Sequence, residues 1–74
     1  MSKFPAVGGK DLLRALSSLG FELQRIRGNH HFVQHPDGRL TVVPVHSNET
    51  IGSGLLSRIL RECELSKEDL LSAL

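Results

Sequence analysis

Two stripes of apolar residues along the chain have the spacing of helix faces. Between residues 10 and 19 the apolar positions recur every three or four residues, at Leu12, Ala15, Leu16 and Leu19. The same spacing returns at Leu56, Ile59, Leu60 and Cys63. The pattern predicts two amphipathic helices, one over residues 10–19 and one that begins near residues 52–55. Gly20 stands where a helix commonly ends in the left-handed conformation.

The two ends of the chain are interpreted from local signals. Ser66 and Asp69 have the Ser-x-x-Asp spacing of a capping box, which predicts a short last helix over residues 67–73. Residues 1–8 are expected to be an irregular lead-in from which Phe4 packs on the core.

The middle of the chain has the two-residue period of half-buried strands. Phe21 and Leu23 alternate with polar residues, and two turn signals follow, at Gly28-Asn29 and at Pro36-Asp37-Gly38. Pro44 is expected to stop the last strand. The predicted strands cover residues 21–27, 30–35 and 39–43.

The order of these elements predicts the fold class. Hairpin connections make the three-stranded sheet antiparallel, and the two main helices need one sheet face to bury their apolar stripes. We therefore predict an α+β protein, a two-layer sandwich of order α-β-β-β-α with a short C-terminal helix. The other sheet face is expected to be open, and the single domain spans residues 1–74.

The predicted turns also set the pairing of the strands. Arg27 should oppose His30, Arg25 should oppose Phe32, and Phe32 should oppose Val42, with opposed residues on one face. We expect the core face to carry Phe21, Leu23, Phe32, Leu40 and Val42, with His30 at its rim near the helices. The open face would then carry His31, Val33 and His35. A bulge would shift this assignment, and Ile26 breaks the alternation.

Length and composition restrict the class of protein. The 74 residues are 39% hydrophobic and 23% charged, as in soluble globular proteins. No apolar run approaches the ~18 residues of a membrane span, and the first nine residues lack the apolar block of a secretory signal. The single cysteine, Cys63, excludes an internal disulfide and is expected to be a small core residue. These observations predict a cytoplasmic protein without a membrane partner.

Positive and titratable groups are concentrated in the first part of the chain. Residues 1–44 carry six Lys and Arg against three Asp and Glu, whereas residues 45–74 carry three against five. All four histidines fall between positions 30 and 46. Such a distribution permits a polyanion site without proving one. The absence of Tyr and Trp argues against a platform of stacked aromatic residues for single strands.

The segment 25–31 places two guanidiniums and two imidazoles around one tight turn, at Arg25, Arg27, His30 and His31. Guanidiniums bind phosphate, and an imidazole exchanges protons near neutral pH. These are the ingredients of metal-free RNA cleavage, in which a ribose 2′-hydroxyl attacks its own phosphate. The same residues would also suit an exposed hairpin tip without chemistry. The histidine spacings match no common metal-ligand signature, so no metal is predicted.

Two further positions have open interpretations. Lys10 follows Gly8-Gly9 in the first helical turn, where backbone amides can hold a phosphate. His46 lies beyond Pro44, where it either hydrogen-bonds loop backbone or takes part in chemistry.

Several motifs in this order resemble the HicA family of toxins, also called YcfA-like messenger-RNA interferases. Arg27-Gly28-Asn29-His30-His31 resembles the family's Gly-Ser-His-His core, and His35-Pro36-Asp37-Gly38 resembles its following turn. Val43-Pro44-Val45-His46 resembles the Val-Pro-x-His element. Gly9-Lys10-Asp11 with Gly20-Phe21 resembles the opening helix, and residues 54–66 resemble the family's second helix.

This resemblance implies a fold similar to double-stranded-RNA-binding domains, and RNA cleavage without a metal or other cofactor. It assigns the essential histidine to His30, and it implies a HicB antitoxin as partner. We add phosphate or RNA contacts from Lys10, Arg25, Arg27, Asn29, His31 and His46. A second proton carrier is left open between His31, His46 and water. Glu64 stands where the family commonly has glycine, so the second helix is expected to end differently.

The predicted function is therefore that of a toxin with metal-independent endoribonuclease activity on messenger RNA. Two alternatives remain. A pure RNA-binding module would hold RNA by shape and phosphate contacts. A protein-interaction domain would use the open sheet face or an edge strand.

Overall fold

In a computed structural model that describes residues 6–47 and 49–74, the chain forms three helices and one three-stranded antiparallel sheet. Phe4 lies outside the described residues, so its packing stays a prediction. The order α-β-β-β-α-α and the α+β class confirm the predicted fold. The elements are α1 (Gly9–Ser18), β1 (Glu22–Arg27), β2 (His30–Gln34), β3 (Leu40–Pro44), α2 (Ser53–Cys63) and α3 (Lys67–Ala73).

The strand pairing follows from the two turns. Arg27 lies opposite His30, which makes Gly28-Asn29 a two-residue turn as predicted. Gly28 has a φ of +57°, whereas Asn29 does not have positive φ, as in turns that require glycine only at their first central position. At the other hairpin the amide of His35 donates to the carbonyl of Arg39 at 2.8 Å. The predicted register of both hairpins is therefore confirmed.

The helices cover the opposite face of the sheet from the one predicted. Val33, Thr41 and Val43 are buried beneath the helices, at 3%, 2% and 0% exposure. Leu40 is 49% exposed and Val42 is only half-buried. The face predicted to be the core is thus the open face, and it carries Phe32, Leu40, Val42 and His30. The assignment of His31, Val33 and His35 to the open face was also wrong.

A bulge explains this reversal. The pairing register shifts between Leu23 and Arg25, so that Leu23 lies opposite Val33 and Arg25 lies opposite Phe32. One extra residue in β1 moves the following side chains to the other face. Phe21 is buried as predicted, at 2% exposure. Leu23 also shares the side of Val33, but its edge strand leaves it 53% exposed.

The apolar stripes of the helices form the core as predicted. Fully buried residues from both stripes meet the helix-facing side of the sheet, and α3 adds Leu70 against α1. The predicted capping box begins α3, since Ser66 Oγ accepts from the Asp69 amide and the Asp69 carboxylate accepts from the Ser66 amide. The fully buried core side chains include Leu12, Leu16, Leu56, Ile59, Leu70 and Val43.

None of the helices in the described ranges combines the length and the apolarity that crossing a membrane requires.

The second helix ends in the left-handed conformation despite lacking a glycine there. Glu64, its C-cap, has a φ of 55° and a ψ of 41°, and it is the one described non-glycine residue with positive φ. The amide of Leu65 donates to the carbonyl of Leu60 at 2.9 Å and so closes the helix end. The expected different ending is therefore not observed, and the chain accepts a strained glutamate instead.

Glu64→Gly is expected to stabilise the protein by about 1 kcal/mol, because glycine adopts this conformation without the Cβ clash. A gain of this size corresponds to a rise in Tm of about 4–8 °C for a domain of this length. Thermal unfolding followed by circular dichroism measures it. Glu68→Gly, inside α3, is the matched control and should lower Tm. A lower Tm for Glu64→Gly would mean that the glutamate side chain stabilises this helix end.

Candidate functional site

The tip of the β1–β2 hairpin is tied to the loop that follows β3. The carbonyl of Asn29 accepts from the amide of Val45 at 2.7 Å. The side-chain nitrogen Nδ2 of Asn29 lies 3.2 Å from Nδ1 of His46, and it donates there when the ring proton is on Nε2. The turn, which requires glycine at position 28, leaves the side chain of Asn29 in contact with His46, 17 positions further along the chain.

His30 begins β2 beside this tip and lies on the open face. Its neighbours across the sheet are Arg27 in β1 and Pro44 in β3. The imidazole is exposed and lies at one end of a groove of about 390 Å³ between β3 and α2. The predicted core-side position of His30 is therefore wrong, whereas its predicted place at the end of the sheet, near a helix, is confirmed. Other groove-lining residues include Leu40, Val42, Leu55 and Arg58.

The beginning of α1 contacts the end of β3 at the same end of the molecule. A Cβ on Gly9 would lie 2.6 Å from the carbonyl oxygen of Pro44, so only glycine permits this approach. Lys10, the next residue, is exposed and lines a cavity of about 500 Å³ together with His46 and Glu49. The fold therefore brings Lys10 and His46 to the end of the sheet that holds His30.

Both candidate arginines of β1 share the open face with His30. Arg27 is exposed and directly opposite His30. The guanidinium carbon of Arg25 lies 4.7 Å from the centroid of the Phe32 ring, in a cation–π contact. The two-residue turn therefore places both arginines on the face of the sheet that carries His30.

His31 is turned away from the other candidate residues. It pairs with Ile26 and Val43 on the helix-facing side of the sheet. Its Nδ1 is enclosed and has no hydrogen-bond partner among the described residues. The predicted RNA contact of His31 stays a prediction, and the geometry gives this residue a packing position.

The opposite end of the sheet has a structural role. Nδ1 of His35 accepts from the Asp37 amide at 3.1 Å, and its ring meets Phe21 edge-on at 5.2 Å. The Arg39 guanidinium hydrogen-bonds the Asp37 carboxylate and holds its pKa below the usual range. Arg39 also donates to the carbonyl of Cys63 at 2.6 Å, which joins this turn to α2.

Cys63 is fully buried beneath this turn, as predicted for a core residue. Burial raises the pKa of its thiol to about 11. The thiol therefore stays protonated at neutral pH and is unsuited to act as a nucleophile.

Within residues 6–47 and 49–74, no three His, Cys, Asp or Glu side chains cluster closely enough to hold a metal ion. The candidate groups near this end of the sheet are His30, Arg25 and Arg27 on the open face and Lys10 and His46 beside a separate cavity. Together they can transfer protons and hold a phosphodiester.

Sequence reasoning missed Gly9 and the surface role of Phe32. Gly9 had been considered only as part of a family motif, and its close approach to Pro44 is visible only in three dimensions. Phe32 had been placed in the core with Val42. No local signal distinguished the two faces of β3, because β-branched residues stand on both, Thr41 and Val43 on one and Val42 on the other.

Comparison with known proteins places this geometry in a family. The family model described as the HicA toxin of bacterial toxin–antitoxin systems matches residues 9–65. The matched range includes α1, the whole sheet and α2. No curated protein matches the chain.

Proposed function

Because the chain belongs to the HicA toxin family, whose members are toxins of bacterial toxin–antitoxin systems, we propose that it cleaves messenger RNA as a metal-independent endoribonuclease. The observation that supports this proposal best is the position of His30. Its exposed imidazole lies opposite Arg27 on the open face and lines a groove of about 390 Å³ between β3 and α2.

In the proposed reaction, His30 accepts the proton of a ribose 2′-hydroxyl. The 2′-oxygen then forms a bond to the adjacent phosphorus, and the bond from phosphorus to the 5′-oxygen breaks. The departing 5′-oxygen receives a proton, so that the products are a 2′,3′-cyclic phosphate and a 5′-hydroxyl. The guanidinium of Arg27, opposite His30, and the ammonium of Lys10 would stabilise the charge that develops on the phosphate oxygens.

His46 is the second proton carrier that the geometry favours over His31. It is exposed and contacts Asn29, the residue before His30, whereas His31 has an enclosed Nδ1 on the other side of the sheet. Nδ1 of His46 faces Asn29, which leaves Nε2 available to carry a proton. If His46→Ala cleaves RNA as fast as wild type, water rather than His46 delivers this proton.

The test of the proposed function is incubation of the purified protein with a defined RNA in excess EDTA. We expect cleavage, with 2′,3′-cyclic phosphate or 3′-phosphate ends on the products. An RNA with a 2′-deoxy sugar at the cleavage site is the matched substrate control and should remain intact, because it lacks the nucleophile. Cleavage that requires a divalent metal, or products with 3′-hydroxyl ends, would contradict the proposal.

Membership of a toxin–antitoxin family implies an antitoxin partner. We propose that this partner is a HicB-like protein that covers His30, and that both proteins act in the cytoplasm, where messenger RNA is translated. Adding the HicB-like protein of the same host to the cleavage assay tests the pairing. Undiminished cleavage at a molar excess would exclude it.

A further inference from the structure

On the open face, Arg25 and Phe32 form a cation–π contact next to the proposed catalytic histidine. Arg25, Phe32 and Val42 lie side by side across the three strands, one row further along the sheet than Arg27, His30 and Pro44. The Arg25 guanidinium lies over the Phe32 ring at 4.7 Å. This pair of residues is called the Arg25–Phe32 stack below.

The stack is exposed because the helices pack on the other side of the sheet. Arg25 is exposed and Phe32 is half-buried, whereas Val33, the next residue, is buried beneath the helices. Because Arg25 is exposed, its guanidinium is accessible to a ligand while it contacts the Phe32 ring. Nucleobases stack on such guanidinium planes in single-stranded RNA complexes.

The spacing along β2 relates the stack to the proposed chemistry. Residues two apart in a strand share a face and are separated by roughly 6–7 Å. His30 and Phe32 have this relation, so a nucleobase on the stack would lie beside the phosphodiester that the 2′-oxygen attacks once His30 accepts its proton.

We propose that the Arg25–Phe32 stack is a base-binding subsite, on which an unpaired nucleobase next to the cleaved phosphodiester stacks against the Arg25 guanidinium. This inference rests on the proposed ribonuclease function and specifies its substrate as unpaired RNA. A base within a duplex is already stacked and paired, so its planar face is unavailable. Duplex recognition through 2′-hydroxyl and phosphate contacts would not use this stack.

A single stack is compatible with the low aromatic content. With three Phe and neither Tyr nor Trp, the chain cannot build a multi-residue aromatic platform. One exposed guanidinium, held over one ring, can provide a stacking surface for one base.

The test separates stacking from simple charge attraction. The probe is a single-stranded, fully 2′-O-methylated oligonucleotide in EDTA, which lacks the nucleophile and remains intact, and its binding is followed by fluorescence anisotropy. Arg25→Lys keeps the positive charge and removes the planar guanidinium group. We expect it to weaken binding about 5- to 140-fold, the fold-change equivalent to stacking worth about 1–3 kcal/mol. The slope of affinity against salt concentration should stay unchanged, since the charge is kept.

Three controls complete the experiment. Arg14→Lys, an exposed arginine on α1, is the matched substitution and should bind like wild type. Phe32→Leu keeps an apolar side chain under the guanidinium and should also weaken binding, after unfolding measurements show that it folds. In the wild type, an abasic position at one site of the oligonucleotide should weaken binding, and Arg25→Lys should lose this sensitivity.

The outcomes distinguish a failure of the proposed subsite from a failure of the proposed ribonuclease function. If the wild type cleaves RNA but Arg25→Lys binds the probe equally well, the subsite is wrong and the proposed function stands. If duplex RNA competes as well as the single strand, the subsite is likewise wrong. If the wild type neither binds the probe nor cleaves RNA, both proposals fail.

Discussion

Replacing His30 by alanine is expected to slow RNA cleavage by about 10²–10⁴-fold, the usual contribution of general acid–base catalysis, while RNA affinity changes by no more than about twofold. The reason is the division of roles proposed for the open face. His30 moves a proton in the transition state, whereas Arg25, Arg27 and Lys10 supply the binding charge. A loss confined to the cleavage step is the signature of a transition-state interaction.

Single-turnover cleavage in EDTA measures the rate, and anisotropy with the 2′-O-methylated oligonucleotide measures the affinity. The matched control is His35→Asn, which removes an imidazole from the far end of the same hairpin. Asparagine retains an acceptor for the Asp37 amide that His35 Nδ1 now serves at 3.1 Å. This variant should keep its cleavage rate if it remains folded.

His30 is exposed, so His30→Ala should change the free energy of unfolding by no more than about 0.5 kcal/mol. Circular dichroism can therefore show whether a loss of cleavage activity is accompanied by a loss of folded structure. Normal cleavage by a folded His30→Ala protein would show that a group other than His30 accepts the proton. Equal losses of rate and affinity would instead make His30 a binding residue.

Gly9→Ala is expected to destabilise the protein by about 1–3 kcal/mol, the usual cost of overpacking, and to lower RNA cleavage as well. The added Cβ would lie 2.6 Å from the Pro44 carbonyl oxygen and 2.9 Å from the Val45 Cα. Both are backbone atoms, so no side-chain rotation relieves the clash. Either α1 or the end of β3 must move.

The movement would reach the candidate site through two contacts. Pro44 lies opposite His30 in the sheet, and the Val45 amide donates to the carbonyl of Asn29. Thermal unfolding should show a Tm about 4–8 °C lower for each kcal/mol lost. The cleavage assay below the new Tm then reports the displacement of the site itself.

Gly54→Ala is the matched control for this substitution. Gly54 lies in the first turn of α2, and a Cβ there would meet no atom within 4 Å. Because alanine favours helix over glycine, this variant should be as stable as wild type or up to about 1 kcal/mol more stable. If both alanine variants had the same stability, the approach of α1 to Pro44 would not be tight in solution.

Local patterns in the sequence were sufficient for most of the fold. The helix stripes, the capping box at Ser66 and the turn at Gly28-Asn29 each act within a few residues, so their physical causes are visible in the chain itself. The hairpin register follows from turn length, and it was correct at both turns. The family motifs were likewise enough to select His30 as a catalytic candidate.

Which face of the sheet is buried was decided only by the tertiary structure. Both faces of β2 and β3 carry apolar residues, so the alternation favoured neither, and the bulge between Leu23 and Arg25 changed the phase of β1. The buried face is set by the packing of the helices together, and they pack on the face where Val33 and Val43 fit against them. As a result Arg25, Phe32 and His30 share the open face, and His31 does not.

The sequence by itself determined the elements, the pairing of the strands at both turns and the choice of candidate residues for chemistry. Only the tertiary structure brought Lys10, Asn29 and His46 together at the end of the sheet where His30 lies. Their meeting depends on Gly9 against Pro44 and on the contact between Asn29 and His46. Contacts between residues so distant along the chain arise from the packing of whole elements, which no local period or motif records.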